Sequence, residues 1–285
     1  MDIFLTVLAV FIIICLWIVI FDMSRFVVRK YTFEDAKIKK SCKAVVIADL
    51  HSKRYGRDNK ILLEAIDDCH PDFILIAGDI PTAKKGKKLD VAISFVTELA
   101  KKYPIFYGNG NHEHRMDLYP ETYGTMGEEY EEALLKIGVK RLVNEKKVLE
   151  ENGICITGSQ IDRFYFKRFR TMPMAENYMT NLLGKPDETL FQILIAHNPD
   201  YFPYYAGWGA DLVLSGHVHG GLVRIPIIGK GVLSPQIRFF PKYDGGLFQE
   251  KNSTMIVSRG LGEHTIPVRF FNPGELILID FIPKD

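Results

Sequence analysis

Short apolar runs in this chain repeatedly end in side chains that bind metal ions, and this punctuation narrows the folds open to it. Residues 44–48 lead into Asp49-Leu50-His51, residues 73–77 into Gly78-Asp79, and residues 104–107 into Gly110-Asn111-His112-Glu113. Further along, residues 191–195 lead into Ala196-His197-Asn198, and residues 212–214 into His217-Val218-His219. Runs this short, wholly apolar and closed by glycine or polar groups, describe strands buried on both faces. Side chains two apart on a strand point the same way. On that basis Asp49 with His51, and His217 with His219, each read as a same-face pair at a strand end.

The segments between the runs supply the rest of the architecture. Ile61, Leu62, Ala65 and Ile66 form a helical stripe that stops at His70-Pro71, and residues 89–101 form a second helix. This strand–helix alternation predicts a βαβαβ unit with parallel strands and helices covering the sheet. The second half is richer in strands, at 154–157, 191–195, 212–214, 254–257 and 275–281. Few helical stretches separate them, which predicts a second sheet packed on the first.

Residues 3–21 are apolar throughout except for Thr6, about the length that a bilayer core requires. A cleaved signal peptide needs positive charge before the apolar run and small residues at a cleavage site after it. Here Met1 and Asp2 precede the run and Asp22-Met23-Ser24-Arg25-Phe26 follows it, so a retained transmembrane anchor is expected. Arg25, Arg29, Lys30, Lys37, Lys39 and Lys40 follow the span, and no Lys or Arg precedes it. The positive-inside rule then predicts a single-pass cell-membrane protein with its catalytic part in the cytoplasm. The expected division is an anchor over 1–22, a charged juxtamembrane linker over 23–42, and the functional domain over 43–285.

The formal net charge of +1 argues against broad electrostatic binding to nucleic acid. Cys15, Cys42, Cys69 and Cys155 are scattered without CxxC spacing, which removes zinc-finger and disulfide-framework readings. The chemistry therefore rests on Asp49, His51, Asp79, Asn111, His197, His217 and His219. They offer carboxylate oxygen, amide oxygen and imidazole nitrogen, with no thiolate. Such a set suits Mn²⁺, Fe or Zn²⁺ better than Ca²⁺ or a structural zinc. It is too large for one closed tetrahedral site and sufficient for two adjacent cations sharing a carboxylate. Paired cations acidify bound water and neutralise charge in displacement at phosphorus. His112, beside Asn111, is the candidate to serve the leaving group.

In order, Asp-x-His, Gly-Asp, Gly-Asn-His-Glu, His and Gly-His-x-His resemble the signature of calcineurin-like metallophosphoesterases, from residue 43 to about 221. The resemblance implies an α/β fold, a four-layer α/β/β/α sandwich of two mixed sheets, here preceded by one transmembrane helix. It implies that Asp49, His51, Asp79 and His219 bind one metal and that Asp79, Asn111, His197 and His217 bind the other. Asp79 would bridge, Asn111 would help position the attacking hydroxide, and His112 would act near the leaving group. Residues 49–53, 197–201, 240–243 and 258–262, with Pro267-Val268-Arg269, resemble a bacterial membrane-associated branch. That branch includes phosphodiesterases and pyrophosphatases, some acting on UDP-2,3-diacylglucosamine.

The expected function is metal-dependent hydrolysis of a phosphodiester or pyrophosphate, lipid-linked in some relatives, at the membrane surface. The alternatives are a phosphomonoesterase or protein phosphatase with the same metals, and a membrane-tethered module that holds metal without catalysis. Arg224, Arg259, His114 and His264 are candidate substrate contacts, against ordinary salt bridges and surface hydrogen bonds. Residues 163–170 interleave bases and aromatics. They fit a partly buried element with snorkelling arginines, or docking on an anionic membrane surface, or stacking on nucleic acid. The basic stretch 84–88 reads as a solvated turn.

Overall fold

The pleat of the central strands sorts their side chains into separate apolar layers. In β2 (Cys42–Ile47), Val45 and Ile47 face one cluster while Ala44 and Val46 face another. The computed structural model describes residues 3–167, 170–226, 228–234, 237–263 and 267–284. The chain begins with helix α1 (Ile3–Ser24) and strand β1 (Phe26–Asp35) before β2. Helix α2 (Lys60–Asp68), β3 (Phe73–Ala77), α3 (Asp90–Ala100) and β4 (Ile105–Gly108) follow, then α4 (Asn111–Leu118), α5 (Pro120–Tyr123) and α6 (Met126–Lys136). The second half contains β5 (Lys146–Leu149), β6 (Ile154–Ser159), α7 (Tyr178–Leu183), β7 (Phe191–Ala196), α8 (Phe202–Trp208) and β8 (Leu212–Ser215). It closes with β9 (Gly246–Glu250), β10 (Ser253–Val257) and β11 (Gly274–Pro283).

The strands form two mixed sheets, in the orders β1-β11-β2-β3-β4 and β5-β6-β7-β8-β10-β9. Between them lies a dry layer that includes Val46, Leu75, Ile156, Ile193, Leu214 and Ile277. On the outer face of the first sheet, Ile47 and Ile76 pack with Leu62, Phe95 and Tyr130 from α2, α3 and α6. On the outer face of the second, Leu194 and Val213 pack with Met179 from α7 and Phe202 and Tyr205 from α8. Helix, sheet, sheet and helix therefore stack as the four layers that the resemblance implied.

The stretch from 23 to 42 departs from the expected linker. Ten of its residues form β1, which pairs in parallel with β11 from Phe26–Gly274 to Asp35–Pro283. Its charges concealed an edge strand. Lys30, Thr32 and Glu34 face out, while Tyr31 and Phe33 lean on the layer between the sheets. Arg29 points in as well, because its guanidinium meets the buried Glu275 at 2.7 Å. Helix α1, 22 residues and apolar to Phe21 apart from Thr6, is long enough to cross a membrane, and most of its large side chains are exposed.

Direction decides where chemistry can gather. β2, β3 and β4 run parallel, as do β6, β7, β8 and β10, so the loops after β2, β3, β4, β7 and β8 emerge at one end of the sandwich. Ligands in open α/β sheets are bound outside such carboxyl ends.

Candidate metal centre

β2 stops at Ile47 and β8 at Ser215, so neither ligand pair lies on a strand. The pleat argument for the two pairs is corrected here. Asp49 and His51 have φ of 51° and 50°, and His217 and His219 have 72° and 51°, all in the left-handed region. Asp79 joins them at 57°. Each left-handed residue costs about 1–2 kcal/mol, although Asp, Asn and His tolerate it best. Tight turns, rather than strand alternation, aim these side chains inward. Backbone bonds between loops hold the turns: Asp49 N–H donates to Gly78 O at 2.9 Å, His51 N–H to Asp79 O at 3.0 Å, and Gly216 N–H to His197 O at 3.1 Å.

Two glycines are required by close approach. A Cβ on Gly110 would stand 2.2 Å from Asp79 Oδ1, and one on Gly216 would stand 2.3 Å from Asp49 Oδ2.

The donor atoms converge in connected groups, each within 4.8 Å: Asp49, His51 and His219; Asp79, His197 and His217; and His51, Asp79 and His112 between them. His51 Nε2 lies 3.1 Å from His219 Nε2, which lies 3.3 Å from Asp49 Oδ1. His197 Nε2 lies 3.1 Å from Asp79 Oδ2. With metal–ligand bonds of about 2.0–2.2 Å, neighbouring donors on one ion sit roughly 3–3.5 Å apart, so these spacings fit divalent cations. Asn111 supports the fit: its Oδ1 is buried and has no hydrogen-bond partner among the described residues. A buried carbonyl oxygen left so is costly unless a cation or water meets it.

The electrostatics point the same way. Burial lifts the Asp79 carboxyl, but His197, His112 and His51 outweigh it and hold it well below the usual carboxylate range. Burial lowers His197, yet Asp79 and Asp49, with the Ala77 carbonyl, raise it to about 10. A pocket that draws a proton so strongly onto an imidazole carries excess negative field, which a divalent cation also satisfies.

The next ring of contacts fixes the rings themselves. His197 Nδ1 donates to Ala77 O at 2.7 Å, so Nε2 is the nitrogen that faces Asp79 and, once deprotonated, the one free to meet a cation. His112 is set oppositely: its Nδ1 accepts from Ala83 N–H at 2.8 Å, so the neutral ring carries its proton on Nε2. Burial, partly opposed by Asp79, lowers the His112 pKa and favours that neutral form. Glu113 accepts from the N–H groups of Asp79, Ile80 and Gly110, each at 3.0 Å, and from Tyr107 Oη. Its place in the Gly-Asn-His-Glu block was visible in sequence, but its task of clamping two ligand loops was not. Asn272 left no local signal; its Nδ2 donates to His219 O at 2.7 Å and to Gly221 O.

The other candidates separate. Arg224 is buried and spent on Asp244 and on the carbonyls of Gly220 and Gly229. Arg259 is packed beside Gly220, next to the His219 loop, and reaches Glu275 at 3.5 Å. Burial, then Arg224, pushes its guanidinium down to about 10, so the two cations crowd one another. His114 lines a small cavity with Asn109, Gln160, Phe166 and His197. Phe166, from the basic-aromatic segment, sets its ring against His217 at 5.4 Å. Lys87, in the stretch read as a solvated turn, reaches Thr82 Oγ1 at 3.3 Å and His51 O at 3.5 Å. His264, Arg168 and Phe169 lie outside the described residues.

A family model for calcineurin-like phosphoesterases matches residues 42–221, spanning every donor above. Among curated proteins, a Helicobacter pylori metallophosphoesterase is 27% identical over 87% of this chain, which spans 62% of that protein's length. The Escherichia coli phosphodiesterase YaeI is 24% identical over 77% of this chain and 75% of its own. The UDP-2,3-diacylglucosamine pyrophosphatase LpxG of Chlamydia muridarum is 24% identical over 82% of each chain.

Proposed function

Because this chain belongs to the calcineurin-like phosphoesterase family, metal-dependent hydrolases of phosphoric ester bonds, we propose that it cleaves a phosphodiester or pyrophosphate at a membrane surface. The observation that carries the reading is the pair of donor groups joined through His51 and Asp79. Asp49, His51, Asp79 and His219 would hold one divalent cation, and Asp79, Asn111, His197 and His217 a second. Asp79 would be shared, and Mn²⁺, Fe or Zn²⁺ would suit the donors. Such cations supply Lewis acidity toward phosphoryl oxygens and an acidified water.

The protein's own groups do the rest. Asn111 offers its buried Oδ1 on the first turn of α4. His112 Nε2–H, fixed by the Ala83 bond at Nδ1, donates to the oxygen that departs from phosphorus. Arg259, with charge to spare, would meet a non-bridging phosphate oxygen. Helix α1 is the retained anchor, with the catalytic part on the cytoplasmic side. The names of YaeI and LpxG favour a diester or anhydride over a monoester, and LpxG a lipid-linked one.

The full chain in detergent, loaded with Mn²⁺, is to be assayed on bis(p-nitrophenyl) phosphate, p-nitrophenyl phosphate and a nucleoside-diphosphate lipid. Diester or anhydride cleavage that chelation abolishes is expected. Metal-dependent cleavage of the monoester alone would replace the reading by a monoesterase, and no metal-dependent hydrolysis would sink it. A C-terminal reporter active only outside the cytoplasm should stay silent.

A further inference from the structure

The metal centre shares its end of the sandwich with the exit of α1. β11 runs antiparallel to β2 and β1 runs parallel to β11, so Phe26 and Gly274, which begin β1 and β11, lie beside the last residues of β2. Ser24 ends α1 and Phe26 begins β1, which leaves no flexible spacer between them. In the other sheet, β10 is parallel to β8, and Val257 at its end pairs with Gly246 at the start of β9. Residues 216–245 and 258–273 therefore leave and re-enter the sheets at the metal-centre end, and the segment after β6 leaves there too.

Six of the twelve large apolar side chains exposed outside α1 among the described residues lie on these loops. Outside α1, the exposed phenylalanines among the described residues are Phe164, Phe239, Phe240 and Phe271, and all four lie on them. Phe239 is 71% exposed and Phe240 60%, with Ile228 and Ile237 alongside at 64% and 51%. The loops are tied together: Val223 bridges Phe270, Leu233 bridges Phe239, and Arg238 reaches Lys167 O and Asp200. Residues 216–245 carry Arg224, Lys230, Arg238 and Lys242; Arg224 is buried on Asp244 and Arg238 pairs with Asp200, which leaves Lys230 and Lys242 exposed with no acidic partner among the described residues.

Exposed aromatics with exposed lysines beside them are what a protein presents to an anionic lipid surface. We propose that this rim docks on the anionic leaflet through which α1 passes, so that the metal centre opens onto the headgroup layer. The proposal rests on reading α1 as an anchor and the site as a phosphoesterase. It deepens that reading by naming the substrate class: an amphiphile whose phosphodiester or pyrophosphate is reached while its acyl chains stay in the leaflet. A chain held at α1 with no spacer has its rim within reach of the headgroups already. The phenylalanines convert that nearness into a fixed orientation.

The test uses the full chain in nanodiscs of zwitterionic and anionic lipid, its native cysteines replaced, with nitroxides at Phe239→Cys, Phe271→Cys and Ile282→Cys. Ile282 lies at the far end of β11. Labels at 239 and 271 should be relaxed more by oxygen than by a water-soluble nickel chelate, and the label at 282 the reverse. Equal exposure to the chelate at all three positions overturns the proposal, and protection that needs an added protein assigns the rim to a protein partner instead. In parallel, Phe239→Ser with Phe240→Ser should lower turnover of a vesicle-embedded phosphodiester about tenfold, while bis(p-nitrophenyl) phosphate turnover changes less than about twofold. Equal losses on both substrates, or none, count against docking. If the unaltered chain hydrolyses neither substrate, the phosphoesterase reading fails and the labels alone decide the docking.

Discussion

Asp22, in the last turn of the apolar helix, accepts a hydrogen bond at 2.9 Å from the backbone N–H of Asn272, 250 residues further along the chain. The Asn272 side chain in turn holds the His219 carbonyl. Lys53, two residues beyond His51, donates to Met23 O at the same helix end. The base of the helix is thus tied to two loops of the metal centre, and both residues of the first link are buried.

Replacing Asn272 with alanine removes the support under the His219 loop. A loss of about 1–3 kcal/mol of stability is expected, with metal affinity lower by roughly ten- to a hundredfold. Thermal unfolding and calorimetric titration of the chelator-stripped chain with Mn²⁺ measure the two. Unchanged affinity would show that the His219 turn holds itself.

Gly110→Ala and Gly216→Ala put a methyl group against Asp79 and Asp49 respectively. Overpacking of this kind costs about 1–3 kcal/mol, and here the displaced atoms are the carboxylate donors. Both variants should lose metal and activity together. Gly207→Ala is a useful contrast, because Gly207 lies within α8 and no atom lies within 4 Å of a Cβ there. It should bind metal as before.

His112→Asn removes the Nε2–H donor and leaves the proposed metal ligands in place. Turnover of a diester should fall about 10²–10⁴-fold while metal content stays the same. The loss should be smaller for a substrate whose leaving phenolate needs little protonation. A loss of metal with activity would move His112 from the leaving group to the metal.

The metal-free chain should have an unusual pH response. The folded-state pKa of His197, about 10, lies above its ordinary 6.5. Its contribution to stability is therefore complete below 6.5 and is lost as pH rises through 10. Metal binding needs the neutral ring, so affinity should rise over the same window. Melting curves from pH 6.5 to 10 should slope downward without metal and much less so with it. Parallel slopes would argue against His197 as a ligand.

A chain begun at residue 43 removes β1 and leaves the edge of β11 that faced it unpaired over a ten-residue register. An exposed edge of that length invites aggregation. Such a chain should be recovered mainly as aggregate, whereas one begun at Arg25 keeps the pairing and should stay folded. Size-exclusion profiles of the two separate the outcomes. Equal recovery would make β1 dispensable.

Much of the architecture was legible because its signals are local. The run at 73–77 is β3 to the residue, since an apolar stretch closed by Gly78 admits little else. The two packed sheets followed from the order of such runs, and the four layers from the resemblance that the motifs carry. β1 was not legible, because an edge strand with one face in water reads as a charged segment until its partner is known. The fate of Arg224 was equally hidden: only the folded chain shows that Asp244 and two carbonyls consume it.

By itself the sequence determined which side chains are available to hold metal and that they follow strands. Those facts depend on residue identity and on short apolar runs closed by polar groups, which neighbours along the chain set between them. Tertiary structure alone decided that left-handed turns aim Asp49, His51, Asp79, His217 and His219 inward. It alone joined Asp22 to Asn272 and put the helix exit at the metal-centre end. Contacts across hundreds of residues come from strand direction and loop closure, and neither leaves a periodic trace in the residues that make them.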